Sequence, residues 1–289
     1  MDTFLNQARK HWTSERVKKV TGGKSLILTP DQAPDLLRAM GLLNKDTSMS
    51  ANNVRKYRQI NHMLALMAPE FRDLAKRFPT VRVVDFGCGN SYLTILIAWY
   101  FCSVLDHPLD CTGLDSNPKT IAASRERARV LGYEGCLKFV DGDVGTLDGA
   151  TRPHAVIALH ACDTATDHAL AFGIRHKADY MAVAPCCQAE LARRWTELVN
   201  SDSVLAPIYR SHHFRREIAA DMTDVLRMLL IRSRGYEVTA TEFVAQEHAV
   251  KNRLLTCIRR GAPSNDLLQQ FVDLKKELGD VTLCLERQL

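Results

Sequence analysis

The stretch Val81-Arg82-Val83-Val84-Asp85-Phe86-Gly87-Cys88-Gly89-Asn90 decides how the rest of the chain is read. An apolar run rich in β-branched residues meets two glycines, and a long apolar helical pattern follows from Tyr92. This reads as a buried strand, a tight turn and a helix start. Gly87 and Gly89 carry no Cβ, so the backbone there can turn sharply and approach a ligand closely. The amide groups that open the next helix point at such a ligand.

Outward from that turn, strand and helix patterns alternate. Strands are expected at 81–86, 110–115, 137–141, 154–160 and 179–184. Helices are expected at about 91–104, 118–131, 165–176 and 189–199. Continuous apolar strands separated by helices predict a parallel, doubly wound sheet with helices on both faces. A patterned helix then covers 217–233. The β-rich runs 236–244 and 252–259 have too little chain between them for a helical crossover, so they are expected to pair antiparallel. The predicted fold is α/β, with a doubly wound, mostly parallel, seven-stranded Rossmann-like sheet, an antiparallel last hairpin and an N-terminal helical extension.

Upstream, residues 1–28 are polar and basic and suggest no fold. Thr29 as N-cap, Pro30 at the first position and Gln32 predict a helix to Met40, with Gly41 past its end. Apolar residues from Tyr57 to Phe78 at three- and four-residue spacing predict a longer helix, which Pro69 should kink or divide. The organisation expected is a basic, helical extension over 1–50, a main domain over 51–262 and a helical tail over 263–289 packed on the core.

The ligand of the glycine turn can be narrowed. A pyrophosphate requires G-x-G-x-x-G, and the third glycine position here is Tyr92. Asp85 would repel a pyrophosphate and attract a cation. S-adenosyl-L-methionine carries an ammonium and a sulfonium and no phosphate. Asp85-x-Gly87-x-Gly89, with Ser91 as the third small residue, resembles motif I of class I S-adenosyl-L-methionine methyltransferases. An ordinary βα turn would show the same two glycines, so the weight falls on the residues that join them. Strand 2 ends in Asp115-Ser116, and a carboxylate there can accept both hydroxyls of a ribose. Strand 3 leads into Asp141-Gly142-Asp143-Val144. By the resemblance, Asp143 takes the adenine amino group. The cofactor set it implies is Asp85, Gly87, Cys88, Gly89, Asn90, Asp115, Ser116, Asp143, Val144 and His160. Singly, each acid could be a helix cap or a loop acid. Three at the ends of successive strands are harder to explain that way.

The exits of strands 4 and 5 are more specific. "LHACDTATDHAL" (159–170) followed by "APCCQAEL" (184–191) resembles one methyltransferase subfamily, marked by His-x-Cys-x-x-Ala-Thr-Asp and a paired cysteine. It includes the tRNA acceptor-stem 2′-O-methyltransferases and the glutathione-S-transferase-C-terminal-domain-containing proteins. "RKYRQIN" (55–61) and "EFVAQEHAVKNRLL" (242–255) also look like that group. The resemblance covers about residues 51–260. Asp163 stands where the tRNA-directed members usually have glycine, and Gln188 where they carry a second histidine, so fold and cofactor carry over better than the tRNA substrate.

His160, Cys162, Asp163, Cys186 and Cys187 are the expected catalytic residues. In one reading His160 or Asp163 takes a proton from the acceptor beside a plain pocket wall. The alternatives are a metal site, a covalent cysteine, or cysteines that are simply buried small hydrophobes. No metal is expected, because adjacent cysteines are awkward joint ligands for one zinc. Lys56 and Gln59 before the core, Pro185 and Gln188 after strand 5, and Lys251 and Asn252 before the last strand are expected at the substrate. For Lys56, Gln59, Lys251 and Asn252 a surface or packing role competes with that reading.

Composition sets the outer bounds. The chain has 289 residues, 46% hydrophobic and 25% charged, with a net charge of +5 and nine cysteines without a framework spacing. The pattern predicts a globular cytoplasmic protein with free thiols, no signal-peptide core and no membrane span, since the apolar run 92–105 is too short to cross. Residues 1–60 hold eleven Lys/Arg against five Asp/Glu, and 193–260 hold twelve against eight. Basic flanks around an acidic centre suit an anionic partner such as RNA, although solvated surface charge gives the same count. Oligomeric state is not legible.

Overall fold

Apolar runs flanked by turn residues become strands because burial on both faces rewards a continuous apolar sequence. In a computed structural model, which describes residues 3–143, 147, 151–159, 164–185, 188–242 and 253–289, these are β1 (Val81–Phe86), β2 (Leu109–Asp115), β3 (Leu137–Asp141), β4 (Ala155–Ala158), β5 (Tyr180–Val183), β6 (Tyr236–Glu242) and β7 (Arg253–Arg259). They form one seven-stranded sheet in the order β3-β2-β1-β4-β5-β7-β6. β1 pairs parallel with β4, β2 with β3 and β4 with β5. β7 runs antiparallel to both β5 and β6. This is the α/β, mostly parallel sheet with an antiparallel finish that the sequence predicts. The last strand in the chain lies inside the sheet, between β5 and β6. No helix among the described residues is long and apolar enough to cross a membrane.

The chain divides into two compact units, Met1–Val81 with Cys88–Asp141, and Arg82–Gly87 with Gly142–Leu289. The first is built on the helix α4 (Ala51–Arg77), preceded by α1 (Thr3–His11), α2 (Ser14–Thr21) and α3 (Pro34–Ala39). Ser50 caps α4 by accepting the Asn53 N–H. Tyr57, Leu64, Met67, Phe71 and Leu74 are buried at helical spacing, each worth about 1.5–3 kcal/mol for a fully buried apolar side chain. Pro69 lies inside α4 and does not divide it. Residues 1–28, for which the sequence suggests no fold, contain two helices. Thr13 caps α2, and Gly22 ends it in the left-handed conformation at φ 66°. The Leu28 segment is fastened to α4: its N–H donates to Asn61 Oδ1 at 2.9 Å, and its carbonyl accepts from the Tyr57 hydroxyl at 2.7 Å.

Two helix starts differ from expectation. Thr29 does not cap a helix. Its carbonyl accepts the N–H groups of Gln32 and Ala33 in a turn, and Pro34 opens α3 instead. Either proline could start a helix on φ alone, and the turn at Thr29 selects the second. After β1, α5 (Tyr92–Trp99) passes into a π-helical turn at Tyr100–Val104, so the expected helix over 91–104 loosens in its last turn. α6 (Pro118–Val130) follows β2 with Asn117 as its cap.

In the second unit, α7 (Thr164–Arg175) follows β4, and α8 (Glu190–Arg194) follows β5 and continues as a 3₁₀ turn at Trp195–Leu198. α9 (Ala206–Arg210) and α10 (His212–Ser233) follow. α10 begins at His212 rather than Glu217, because its first turns are polar and carry no apolar periodicity to mark them. The tail forms α11 (Asn265–Glu277) and α12 (Cys284–Gln288). Phe271 of α11 is buried, and Glu190 accepts the Cys284 N–H at 2.9 Å and Arg287 Nη2 at 2.5 Å.

Candidate functional site

In the first unit the turn after β1 is held by a short set of bonds. The Cys88 N–H donates to the Leu114 carbonyl at 2.9 Å, and the Ser91 N–H to the Cys88 carbonyl at 2.7 Å. Gly89 lies at φ 50° and Ser91 at φ 55°, a region that costs a non-glycine residue about 1–2 kcal/mol. Asp115 fixes the turn directly: Oδ2 accepts the Gly89 N–H at 2.9 Å, and Oδ1 accepts the Asn117 N–H at 2.9 Å. Asn117 in turn accepts from Lys119 and Thr120 and caps α6. The glycine turn and the strand 2 carboxylate, read as one site from sequence, are therefore joined.

Two residues of this region escaped the sequence reading. Arg127 on α6 donates to the Asn90 carbonyl at 2.6 Å and to Ser91 Oγ at 3.3 Å, with its guanidinium 5.4 Å from the Tyr92 ring centroid. A Cβ on Gly113 would lie 2.8 Å from the Phe139 ring and 3.1 Å from Cys88 Sγ. Gly113 thus lets β2 approach the neighbouring side chains that flank the turn. A basic residue in the last turn of a helix and a glycine inside a strand are weak signals, since each has commoner explanations.

Cys88 is buried, Asn90 and Ser116 are exposed, and Lys56 and Gln59 face solvent on α4. Tyr57 between them is fully buried and serves Leu28, with its hydroxyl pKa raised by burial. In the second unit, Asp85 on β1 is 2% exposed, Gly87 adopts φ 65°, and Asp143 is exposed. Val144, His160, Cys162, Asp163, Cys186, Cys187, Lys251 and Asn252 lie outside the described residues.

The second unit holds a buried polar network beside the strand 4 and strand 5 exits. Asp167, the acid that ends the His-x-Cys-x-x-Ala-Thr-Asp run, takes a two-point bond from Arg227 of α10: Nε to Oδ1 at 2.7 Å and Nη2 to Oδ2 at 2.9 Å. Arg227 also reaches Asp224 at 3.3 Å, and all three side chains are 2% exposed. Burial opposes the charge on Arg227, and the Asp167 and Asp224 carboxylates outweigh it, so its pKa is raised. Asp224 accepts Gln188 Nε2 on both oxygens, at 3.1 and 3.0 Å, and Arg253 Nη1 at 2.7 Å. Gln188 Nε2 also donates to the carbonyl of buried Pro185 at 3.2 Å. The amide orientation of Gln188 is thereby set, because a flip would turn its oxygen toward a carboxylate. Its Oε1 is buried and has no hydrogen-bond partner among the described residues. Sequence reasoning missed Arg227 and Asp224. The available signal was charge on the buried face of α10, where Ala220, Asp224, Arg227 and Ile231 follow helical spacing.

Residues 55–194 match the model of a family described as a methyltransferase domain. A glutathione S-transferase C-terminal domain-containing protein of Xenopus laevis is 27% identical over 140 residues, covering 48% of this chain and 20% of that protein. A homologue from Drosophila pseudoobscura pseudoobscura is 26% identical over 241 residues, covering 73% of this chain and 38% of that protein. The match therefore spans well under half the length of these curated relatives. Among solved structures, magnesium protoporphyrin IX methyltransferase from Synechocystis PCC 6803 with bound S-adenosyl-L-methionine has 15% identity and a TM-score of 0.46, covering 90% of this chain and 99% of that one.

Residues 55–194 thus resemble a methyltransferase domain, a class whose usual cofactor is S-adenosyl-L-methionine. The donor set of the turn fits that group. Asp115 uses one acceptor position on each oxygen, and a carboxylate offers about four, which leaves room for both hydroxyls of a ribose.

Proposed function

We propose that this protein methylates RNA, with the methyltransferase domain extending over 51–262. Asp115 would hold the ribose hydroxyls of the cofactor, Asp143 its adenine amino group, and Asp85 the cationic methionyl end, with the backbone of 87–90 as the cradle. Bound S-adenosyl-L-methionine supplies a methyl group already activated on a sulfonium. The protein's task is then to align the acceptor and take its proton as the new bond forms. His160 and Asp163 are the residues proposed to do so, with Cys162, Cys186 and Cys187 walling the pocket. The cytoplasm is the compartment proposed, from the free thiols.

The observation that supports RNA over protein as acceptor is the placement of charge. Arg9, Lys10, Lys18, Lys19, Lys24, Arg55, Lys56 and Arg58 of the first unit are exposed. In the second unit His212, His213 and Arg216 are exposed on the first turns of α10, beside Phe214, which is 58% exposed. An exposed aromatic ring among basic residues suits a stacked base within a phosphate-binding surface.

The test is transfer of labelled methyl from S-adenosyl-L-methionine to fractionated cellular RNA and protein. Label in an RNA fraction, abolished by ribonuclease, is the expected result. Label confined to the protein fraction would make a protein the substrate and sink the RNA reading.

A further inference from the structure

Cys102 and Cys136 stand apart from the other thiols of the described residues. Cys102 lies in the π-helical turn after α5, and Cys136 in the turn that opens β3, 34 positions along the chain. Their sulfurs are 3.7 Å apart and share a hydrogen bond. Cys102 is exposed and Cys136 half-buried, whereas Cys88, Cys111, Cys257 and Cys284 are buried. A small molecule in solvent can therefore reach this pair and not the others. The Cys136 backbone is held, with its N–H on the Tyr133 carbonyl at 3.1 Å and its carbonyl accepting the Cys111 N–H at 2.8 Å. A disulfide needs sulfurs about 2.05 Å apart, so the pair has to close by roughly 1.7 Å, within reach of side-chain rotation about Cα–Cβ.

We propose that Cys102 and Cys136 are a reversible redox dithiol, closed to a disulfide by a peroxide. The Cys102 thiolate attacks one peroxide oxygen. The O–O bond breaks, the sulfur is oxidised to a sulfenic acid, and the departing hydroxide takes a proton to leave as water. The Cys136 sulfur then attacks the sulfenic sulfur. The S–S bond forms, the S–O bond breaks, and the Cys136 proton leaves with the hydroxyl as a second water. A dithiol donor returns both thiols.

The electrostatics favour Cys102 as the attacking sulfur. The hydrogen bond from Cys136 lowers the Cys102 pKa to about 7, while the partner role and burial raise that of Cys136. Burial raises Cys257 to about 12 and also raises Cys284. Oxidation of Cys102 is expected on the order of tenfold faster than that of an ordinary exposed thiol, because more of it is thiolate near neutral pH.

The experiment uses the purified 289-residue protein, hydrogen peroxide, alkylation of remaining thiols and digestion with chymotrypsin, which cuts after Phe101 and Leu105 and so isolates Cys102 from Cys88 and Cys111. The expected product is a peptide pair joined through Cys102 and Cys136, two hydrogens lighter than its parts and separated by dithiothreitol. In Cys136→Ser, dimedone should trap a sulfenic acid on Cys102. In Cys102→Ser, Cys136 should stay alkylatable at the same peroxide dose. Circular dichroism checks that both variants fold, and the linked peptide from unaltered protein stands whether or not they do. Passage of Cys102 to a sulfinic acid with Cys136 still free would overturn the proposal. So would linkage to another cysteine, or no reaction at a dose that oxidises glutathione.

Discussion

At the scale of single residues, Asp115 has the largest consequence. Its carboxylate holds the Gly89 and Asn117 N–H groups at once, so losing it frees the glycine turn as well as removing acceptors for a ribose. Asp115→Ala should weaken S-adenosyl-L-methionine binding at least several-fold, at about 1–3 kcal/mol per buried hydrogen-bonding group left unmet. Titration calorimetry reads this directly, and an unchanged affinity would mean that the cofactor sits elsewhere. His160→Ala should behave in the opposite way. The cofactor affinity should hold while turnover falls by about 10²–10⁴-fold, the usual worth of a general base. Full turnover in both His160→Ala and Asp163→Ala would move the transfer site away from these strand ends. Asp115 and the glycines were legible because a positive-φ turn and a strand-end carboxylate leave a mark within a few positions of sequence. Arg127 was not, because it reaches Asn90 from 37 positions away.

At the scale of elements, the ion network of α10 is the least readable and the most demanding. Nothing local announces that Arg227 will meet Asp167, 60 positions earlier. The helix is recognisable by its apolar face, and the charge on that face looks like an interruption until the partner is seen. Arg227→Met keeps most of the volume and removes the guanidinium that buried Asp167 and Asp224 share, leaving Asp224 its bond from Arg253. Urea unfolding should show a loss of roughly 3–5 kcal/mol. Arg227→Lys should recover little of it, since one ammonium cannot bridge both oxygens of Asp167 and still reach Asp224. Stability within about 1 kcal/mol of the parent in both variants would show that the network is not a support of this unit. The strands were readable for the opposite reason. β4 and β5 are buried at every position, and such strands are apolar at every position. The starts of α3 and α10 were misjudged where a turn or a polar first turn overrode the simple signal.

At the scale of the whole molecule, the charge pattern is the feature that composition already reported. The structure adds that Arg9, Lys10, Lys18, Lys19, Lys24, Arg55, Lys56 and Arg58 of the first unit face solvent, and that in the second unit Phe214 is exposed beside His212, His213 and Arg216, whereas Arg227 is buried. RNA affinity should fall steeply with salt, because each phosphate contact releases a counterion. Phe214→Ala should weaken binding to single-stranded RNA by about 1–3 kcal/mol if a base stacks there, with no change in melting temperature. Fluorescence anisotropy with a labelled oligoribonucleotide over a salt series measures both effects. A flat salt response would remove RNA as the partner.

The position of β7 has a consequence for biosynthesis. β5 pairs with β4 on one side and with β7 on the other, and β7 is the later strand of the hairpin. A ribosome therefore completes β6 before the strand that must separate it from β5 exists. Until Arg253–Arg259 emerges, Tyr180–Val183 presents a bare apolar edge, the form most prone to wrongful pairing with a neighbouring chain. The second unit cannot mature piecemeal as it leaves the exit tunnel. Its sheet closes by insertion, only once Arg253–Arg259 has been made, and the nascent chain must be kept from its neighbours until then.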